Sequence, residues 1–225
     1  MAGEIVQVSQ QPVPVWPEGQ RVLSRDKQRT ILRTVFTDTE AYHPALIARV
    51  LEMAQDPRWS AQYSRSLGGT KLYHLDQWDS AEAQLLNERA KALFRLATGD
   101  ERAVVDIAWV NVYRKGDYIA PHSHTRSTAS LVYCLDAGEE DPEDINAGRF
   151  CFVDPRYPDC CQIEEQRMTN PLQPEMRAGT LLLFPSELVH CVNPYGGNRP
   201  RITVSWNMNA VPLPGSPLEP FLPKA

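Results

Sequence analysis

Three of the five histidines in the chain fall at spacings that suit a metal site. His122 and His124 stand in Pro-His-Ser-His, and side chains two apart on an extended strand point to the same face, so one ion can meet both imidazoles. His190 follows the apolar run Gly179–Pro185, which predicts a strand that carries it to the edge of a core. Three protein ligands leave coordination positions open for substrate, as a catalytic site needs. Taken alone, an H-x-H motif is more often a chance pair of surface histidines.

A second group of polar residues suits a carboxylate receptor. In Arg201-Ile-Thr-Val-Ser-Trp-Asn the strand alternation places Arg201 and Thr203 on one face. A guanidinium binds a carboxylate through two parallel hydrogen bonds, and a hydroxyl adds a further donor. Upstream, Asn111 and Tyr113 share one face of another predicted strand, where a bound polar ligand would supply the partners that buried polar groups require. Alternatively, Arg201 is a surface charge on an edge strand, and the segment with Asn111 and Tyr113 is an ordinary stripe of core residues.

Two helices are predicted before residue 100. Pro44 followed by apolar residues up to Met53 predicts a helix with proline in its first turn. Asp79-x-x-Glu82 is a capping pattern, and the helix that follows it is predicted to end at Gly99. Each helix is expected to bury one face against a sheet.

From residue 103 onward the periodicity is that of strands. Short strands without intervening helices favour a sandwich, a barrel or a jelly roll. The predicted strands are 103–114, a run ending at His124, 127–135, 149–153, 179–184 and 201–209. The sequence therefore predicts one domain over 23–210, preceded by a proline-containing extended arm over 1–22 and followed by a Pro-rich tail over 211–225.

Composition excludes several classes of protein. The chain has 225 residues and a formal net charge of -5, which disfavours a general nucleic-acid binder because phosphates require a basic surface. No apolar stretch is long enough for a membrane helix, and the first residues lack the layout of a signal peptide. Five cysteines without a C-x-x-C pair suggest reduced thiols. We therefore expect a cytoplasmic protein with no nucleic-acid or membrane partner.

Together, these motifs resemble the Fe(II)/2-oxoglutarate-dependent oxygenase superfamily. Within it, the chain is most similar to a group of 2-oxoglutarate oxygenases that share H-x-H, a D-P-R strand and F-P-S before the distal histidine. The similarity spans roughly residues 60–209. The segments that carry it are Trp109–Tyr113, Gly116, His122–His124, Ser130–Tyr133, Gly148–Arg156, Gly179–Ser186, His190 and Arg201–Thr203.

The resemblance implies a mainly β fold with flanking helices, whose core is a double-stranded β-helix of the jelly-roll, cupin-like kind. It implies that His122, His124 and His190 hold Fe(II), which 2-oxoglutarate chelates as co-substrate alongside O2. The far carboxylate of 2-oxoglutarate would meet Arg201 and Thr203. Further contacts to 2-oxoglutarate would come from Asn111 and Tyr113, with Tyr133 as an additional candidate. The implied reaction is oxidation, by default hydroxylation, of an unactivated C–H bond.

One departure from the superfamily bears on this interpretation. The common triad is H-x-D/E…H, whereas this chain has His124 in the middle position. Imidazole instead of carboxylate makes the site more positive by one charge, and imidazoles also suit Zn, Cu and Ni. A carboxylate such as Asp154 is an alternative ligand. Two other functions stay open: a 2-oxoglutarate-independent, cupin-like three-histidine dioxygenase that oxidises thiols, and a non-catalytic β-helix that binds a metal or ligand.

The substrate is restricted only to a small molecule, an amino acid or a peptide. An acidic stretch over 139–144, folded over the mouth, would favour a cationic substrate, whereas Arg126, Arg149 or Arg156 near the mouth would select an anion. The Pro-rich ends are compatible with a homodimer.

Overall fold

The computed structural model describes residues 4–8, 11–26, 31–124, 126–153, 162–164, 167–169 and 173–211. Its two α-helices are α1 (His43–Met53) and α2 (Ala81–Thr98), and short 3-10 helices span Thr39–Ala41 and Leu75–Gln77. In chain order the strands are β1 (Ile5–Val8), β2 (Gln11–Pro14), β3 (Val22–Asp26), β4 (Ile31–Val35), β5 (Ser60–Gln62), β6 (Thr70–Tyr73), β7 (Val104–Tyr113), β8 (Ile119–His122), β9 (Ala129–Asp136), β10 (Phe150–Phe152), β11 (Gln162–Glu164), β12 (Arg167–Thr169), β13 (Thr180–Pro185), β14 (His190–Val192) and β15 (Arg201–Asn209).

Two antiparallel sheets form the core. An eight-stranded sheet has the order β3-β4-β13-β9-β15-β7-β6-β5, and a three-stranded sheet has the order β10-β14-β8. From β7 to β10, and again from β13 to β15, successive strands alternate between the two sheets. This winding is a double-stranded β-helix, so the predicted fold class is confirmed.

The strands predicted after residue 103 are present, with one informative difference. The run predicted to end at His124 ends as a strand at His122, so His124 lies just beyond β8. Strand alternation therefore does not fix the direction of both imidazoles. Instead, the backbone N–H of His124 donates to the carbonyl of Ser186 at 2.7 Å, which holds this segment against the end of β13.

Both predicted helices are present, and they cover one face of the eight-stranded sheet. The N-cap of α2 is Ser80 and not Asp79: its hydroxyl accepts from the N–H of Ala83 and donates to Glu82 at 2.7 Å. Gly99 ends the helix in the left-handed conformation (φ 74°), as predicted. The helices bury the larger of two apolar clusters, which includes fully buried Trp206. The smaller cluster, with Phe150 and Phe184, fills the space between the two sheets.

The N-terminal region differs from the extended arm predicted over 1–22. Strands β1 and β2 form a hairpin whose Val8 and Val13, with the following Val15, are buried in the cluster under the helices. Two buried valines on the paired strands and a third just after β2 explain why these residues fold back despite their prolines. The strands from β3 to β6 also extend the large sheet on both sides, where no strand was predicted. The tail over 212–225 lies outside the described residues.

Neither helix of the described part of the chain combines the length and apolar character that crossing a membrane requires.

Candidate metal and co-substrate site

Three histidines converge at one end of the space between the sheets. His122 and His190 are directly opposite each other on β8 and β14, and their ring centroids are 4.3 Å apart. The ring of His124 lies 5.0 Å from that of His122 and 5.4 Å from that of His190. One nitrogen from each ring lies within 4.8 Å of the others, which is a spacing suited to a shared metal ion. The structure therefore brings together the three histidines predicted from the sequence.

Two of the imidazoles are oriented by backbone carbonyls. Nδ1–H of His122 donates to the carbonyl of Ala120 at 2.9 Å, and Nδ1–H of His190 donates to that of Leu188 at 2.8 Å. These bonds leave Nε2 of each ring with a free lone pair, the arrangement found in metal-ligating histidines. The ring of His190 also packs against Phe184 (4.7 Å between centroids) and Phe150 (5.5 Å), which restricts its rotation.

Burial keeps the three imidazoles neutral. It lowers the pKa of His190 to about 3 and that of His124 to about 4, and it lowers the pKa of His122 as well; the positive charge of Lys71 adds to the shifts of His122 and His124. A metal ligand must be the free base, so the site is ready to bind a cation at neutral pH. Among the described residues no carboxylate joins this group. Asp154, the alternative ligand, and Arg156 lie outside the described residues.

The same cavity contains the predicted carboxylate receptor. Strands β15 and β7 pair so that Arg201 faces Tyr113 and Thr203 faces Asn111, with the guanidinium carbon 4.9 Å from the centroid of the Tyr113 ring. All four side chains line the cavity that contains the histidines. Burial raises the pKa of Tyr113, opposed by the adjacent positive charge of Arg201. The four residues predicted to contact 2-oxoglutarate from these two strands are thus on one wall of the metal cavity.

Two buried polar atoms on this wall, Nη1 of Arg201 and Oδ1 of Asn111, make no hydrogen bond with any described residue, although both residues are only 3% exposed. The amide nitrogen of Asn111 reaches the hydroxyls of Thr203 and Ser205 only at 3.4 Å. Leaving a buried charged donor without a partner is costly, and a bound carboxylate would satisfy it. The donor set therefore fits a carboxylate ligand beside a metal.

Tyr133 is not part of this site, which corrects the prediction. Val132 lines the cavity, so alternation along β9 turns Tyr133 to the opposite face of the sheet. There its hydroxyl is bonded to Tyr42 at 2.8 Å and to Nε2 of His43 at 2.6 Å. We call the group beneath the helices the rear cluster; it consists of Asp38, Tyr42, His43, Arg89 and Tyr133.

Several cavity residues were missed by the sequence analysis. Lys71 lies on β6, a strand that was not predicted, and its placement beside the site follows from the pairing of β6 with β7. Trp109 and Ser205 also line the cavity. Alternation places Ser205 on the face of Arg201 and Thr203, and the same argument applied to Asn111 would have found Trp109. Ser130 lines the cavity too, bonded to Ser186 and Asn207 at 2.9 Å each.

The acidic stretch over 139–144 does not cover the histidines. Four of its residues line a second cleft with Arg149, which adjoins the histidine cavity at Phe150 and Arg201. Glu139 is fixed there by accepting from the backbone N–H of Asn198 at 2.7 Å. Arg126 is exposed and does not line the cavity. The described arginines proposed to select an anion are therefore not in the cavity wall, and neither is the acidic stretch.

Comparisons with known proteins agree with this geometry. Residues 107–207 match the model of a family described as "Putative 2OG-Fe(II) oxygenase". No curated protein matches the chain.

Solved structures share the fold at low identity. The epimerase SnoN in complex with Fe3+, alpha ketoglutarate and nogalamycin RO is 15% identical at a TM-score of 0.60, over 82% of this chain and 80% of that one. A prolyl-4-hydroxylase from Pseudomonas putida is 18% identical at a TM-score of 0.52, over 80% and 94%. AviO1 from Streptomyces viridochromogenes Tue57 is 17% identical at a TM-score of 0.55, over 81% and 91%.

Proposed function

We propose that the chain is an Fe(II)- and 2-oxoglutarate-dependent dioxygenase, because residues 107–207 match a 2OG-Fe(II) oxygenase family model and solved structures of such enzymes share its fold. It couples decarboxylation of 2-oxoglutarate to oxidation, by default hydroxylation, of a C–H bond in a small-molecule, amino-acid or peptidyl substrate. When bound, Fe(II) and 2-oxoglutarate together supply the reduction of O2 that generates the oxidant.

The observation that carries this proposal is the unpaired Nη1 of Arg201. This atom is buried without a hydrogen-bond partner among the described residues, in the cavity that also contains three neutral imidazoles. A structural arginine in such a place would have a carboxylate or carbonyl partner, as Arg89 has in Asp38. An incoming dicarboxylate completes the site at Arg201 while its other end is free to reach the metal.

Each cavity residue then has a defined task. The three histidines would hold the metal, His122 and His190 through Nε2, while the carbonyls of Ala120 and Leu188 fix these two rings. Arg201 and Thr203 bind the far carboxylate, with Tyr113 packed against the guanidinium. Asn111 offers its unpaired amide oxygen to a donor and its amide nitrogen to an acceptor of the bound ligand. The apolar wall around Phe184 excludes water from the reacting centre.

Anaerobic titration tests the proposal. Purified protein is loaded with Fe(II) and then with 2-oxoglutarate, while the weak visible charge-transfer absorption of a chelated complex is followed. We expect the band in the wild-type protein and in Arg149→Ala, which removes an arginine outside the cavity. We expect no band in Arg201→Ala. Metal binding without a band in the wild-type protein would reject the proposal.

The all-imidazole ligand set favours one competing function, a three-histidine dioxygenase that oxidises thiols without 2-oxoglutarate. Such an enzyme would consume O2 with a thiol substrate alone, and Arg201→Ala would not change its rate. Oxygen-electrode measurements with cysteine and cysteamine, with and without 2-oxoglutarate, separate the two functions.

A further inference from the structure

A lysine lies in the wall of the histidine cavity beside the predicted receptor. On β6 Lys71 is directly opposite Asn111 of β7, and Asn111 is opposite Thr203 of β15. Its ammonium lies 5.8 Å from the centroid of the Trp109 ring, whose other neighbour is the ring of His124 at 5.9 Å. The ring of Tyr63 bounds it on the outer side at 5.6 Å. The ammonium is thus one aromatic ring away from the metal ligands.

This ammonium has no anionic partner among the described residues. Lys71 is half-buried, burial lowers its pKa, and it forms no hydrogen bond or ion pair with any described side chain or backbone group. The other shielded cations differ: the fully buried Arg89 is paired with Asp38, and Lys91 is paired with Glu88 at 2.7 Å. Aromatic faces compensate an ammonium only partly for lost water. A partly desolvated cation without a counterion is typical of a binding site for an anion.

The charge of the cavity points the same way. Among the described residues its lining includes two cationic side chains, Lys71 and Arg201, and no carboxylate. The three histidines contribute no negative charge, so Fe(II) with doubly negative 2-oxoglutarate would be neutral as a pair. The two side chains would then leave the loaded cavity with two uncompensated positive charges. An anionic substrate reduces that excess, whereas a cationic one increases it.

2-Oxoglutarate itself is a poor partner for Lys71. Neighbouring strands are about 4.8 Å apart, so the β6 and β15 backbones are separated by about 10 Å. Nη1 of Arg201, which no described residue pairs, is already available for the far carboxylate, on the opposite side of Asn111 from Lys71. The contacts of the ammonium to Trp109 and Tyr63 place it toward the open edge of the sheet.

We propose that Lys71 is the substrate-anchoring residue of this site and that it binds a carboxylate group of the molecule to be oxidised, with the indole of Trp109 between the anchored group and the metal ligands. This inference rests on the proposed function and names its substrate class: an organic carboxylate whose reacting C–H bond is several bonds from the anionic group.

Binding to the loaded protein tests the anchor without relying on turnover. The probes are a panel of matched alkyl- and aryl-carboxylic acids and their carboxamides, added to protein loaded with Mn(II) and 2-oxoglutarate. Manganese-induced broadening of the probe NMR signals reports binding near the metal. Because a carboxylate–ammonium bond in a partly dry site is strong, we expect acids of the panel to bind about tenfold more tightly than their amides.

The variants decide where the preference originates. We expect Lys71→Met to reduce the acid-to-amide ratio to about one and Lys71→Arg to restore part of it. The control Lys115→Met removes the same charge from an exposed turn and should leave the ratio unchanged. The affinity for 2-oxoglutarate, measured by calorimetry with Mn(II), should stay within about twofold in all three variants.

Three results would overturn the anchor. The first two are that no acid is preferred over its amide, or that a preference survives Lys71→Met. The third is a loss of 2-oxoglutarate affinity in Lys71→Met, which would assign the lysine to the co-substrate. Failure of the proposed function gives a different result: wild-type protein would not bind 2-oxoglutarate. A lysine-dependent preference for acids would still be measurable in that case, with protein loaded with Mn(II) alone.

Discussion

The eight-stranded sheet has a buried polar cluster on each face, and the two clusters differ in how completely their hydrogen bonds are made. In the rear cluster Arg89 donates to Asp38, to Tyr42 and to the carbonyl of Val15, and no buried polar atom of the cluster lacks a partner. On the cavity face, Arg201 and Asn111 each have an unpaired atom.

The difference separates a structural network from a binding site. In the rear cluster every buried donor and acceptor is already bonded within the protein, so none is available to a ligand. Its hydrogen bonds join α1 and α2 to the sheet. One unpaired atom does not define a site, since Nε1 of Trp206 is also unpaired. What marks the cavity is that unpaired atoms, neutral imidazoles and an unpaired ammonium line the same space. We therefore expect changes on the rear face to alter stability and changes on the cavity face to alter binding.

The largest effect is expected from His190→Ala. Even changes to groups that only orient a metal ligand cost about 10–100-fold in affinity, so loss of a ligand should cost more than about 100-fold. Metal content after dialysis and calorimetric titration with Mn(II) measure it. His74→Asn removes an exposed histidine with φ 59°, a conformation that asparagine tolerates, and should bind metal as the wild type does. Full metal affinity in His190→Ala would break the assignment of the cavity as a metal site.

Arg89→Met should have the largest effect on stability. It leaves the carboxylate of Asp38 and the hydroxyl of Tyr42 without their main partner, and the expected loss is about 3 kcal/mol in the free energy of unfolding. Denaturant unfolding measures the loss. The folded variant should still bind Mn(II) and 2-oxoglutarate with wild-type affinity, and weakened binding would show that the two faces are coupled.

A smaller, pH-dependent effect is expected from His43. Burial, with a contribution from Arg89, lowers its pKa to about 4, below the ordinary value of 6.5. The folded state therefore binds fewer protons than the unfolded state between these values, so stability is present above pH 6.5 and is lost as the pH falls toward 4. Between pH 7 and pH 5 the loss from this one group should be about 1–2 kcal/mol.

Comparison with His43→Gln isolates this contribution from that of the cavity histidines, which titrate in the same range. The stability difference between wild type and His43→Gln, from unfolding curves at each pH, should shrink as the pH is lowered. A difference that is constant from pH 7.5 to pH 5 would contradict the lowered pKa.

The smallest effect sharpens the comparison. Arg201→Met removes a buried guanidinium that has no described carboxylate partner. Removing this buried charge stabilises the fold, whereas losing its packing on Tyr113 destabilises it, so the two effects oppose each other. The free energy of unfolding should change by less than about 1 kcal/mol, although 2-oxoglutarate binding is lost. A loss as large as that of Arg89→Met would mean that Arg201 is structural.

Local sequence by itself determined which residues share a strand face. Arg201 with Thr203, and Asn111 with Tyr113, were predicted in this way, as were Gly99 as the end of α2 and the strand that ends at Pro185. These features depend on alternation, on helix capping or on the conformational freedom of glycine, and such effects act over a few residues.

Tertiary structure decided which faces meet. The positions of His122 opposite His190, of Lys71 opposite Asn111 and of Tyr133 beneath the helices all depend on the register between strands far apart in sequence. A shift of one residue in a strand exchanges its two faces, so register is fixed only when the sheets and helices pack together. For that reason the local sequence pattern was enough to predict the hydrogen-bond donors of the site. The positions of Lys71 in the cavity and of Tyr133 outside it depend on how the core packs.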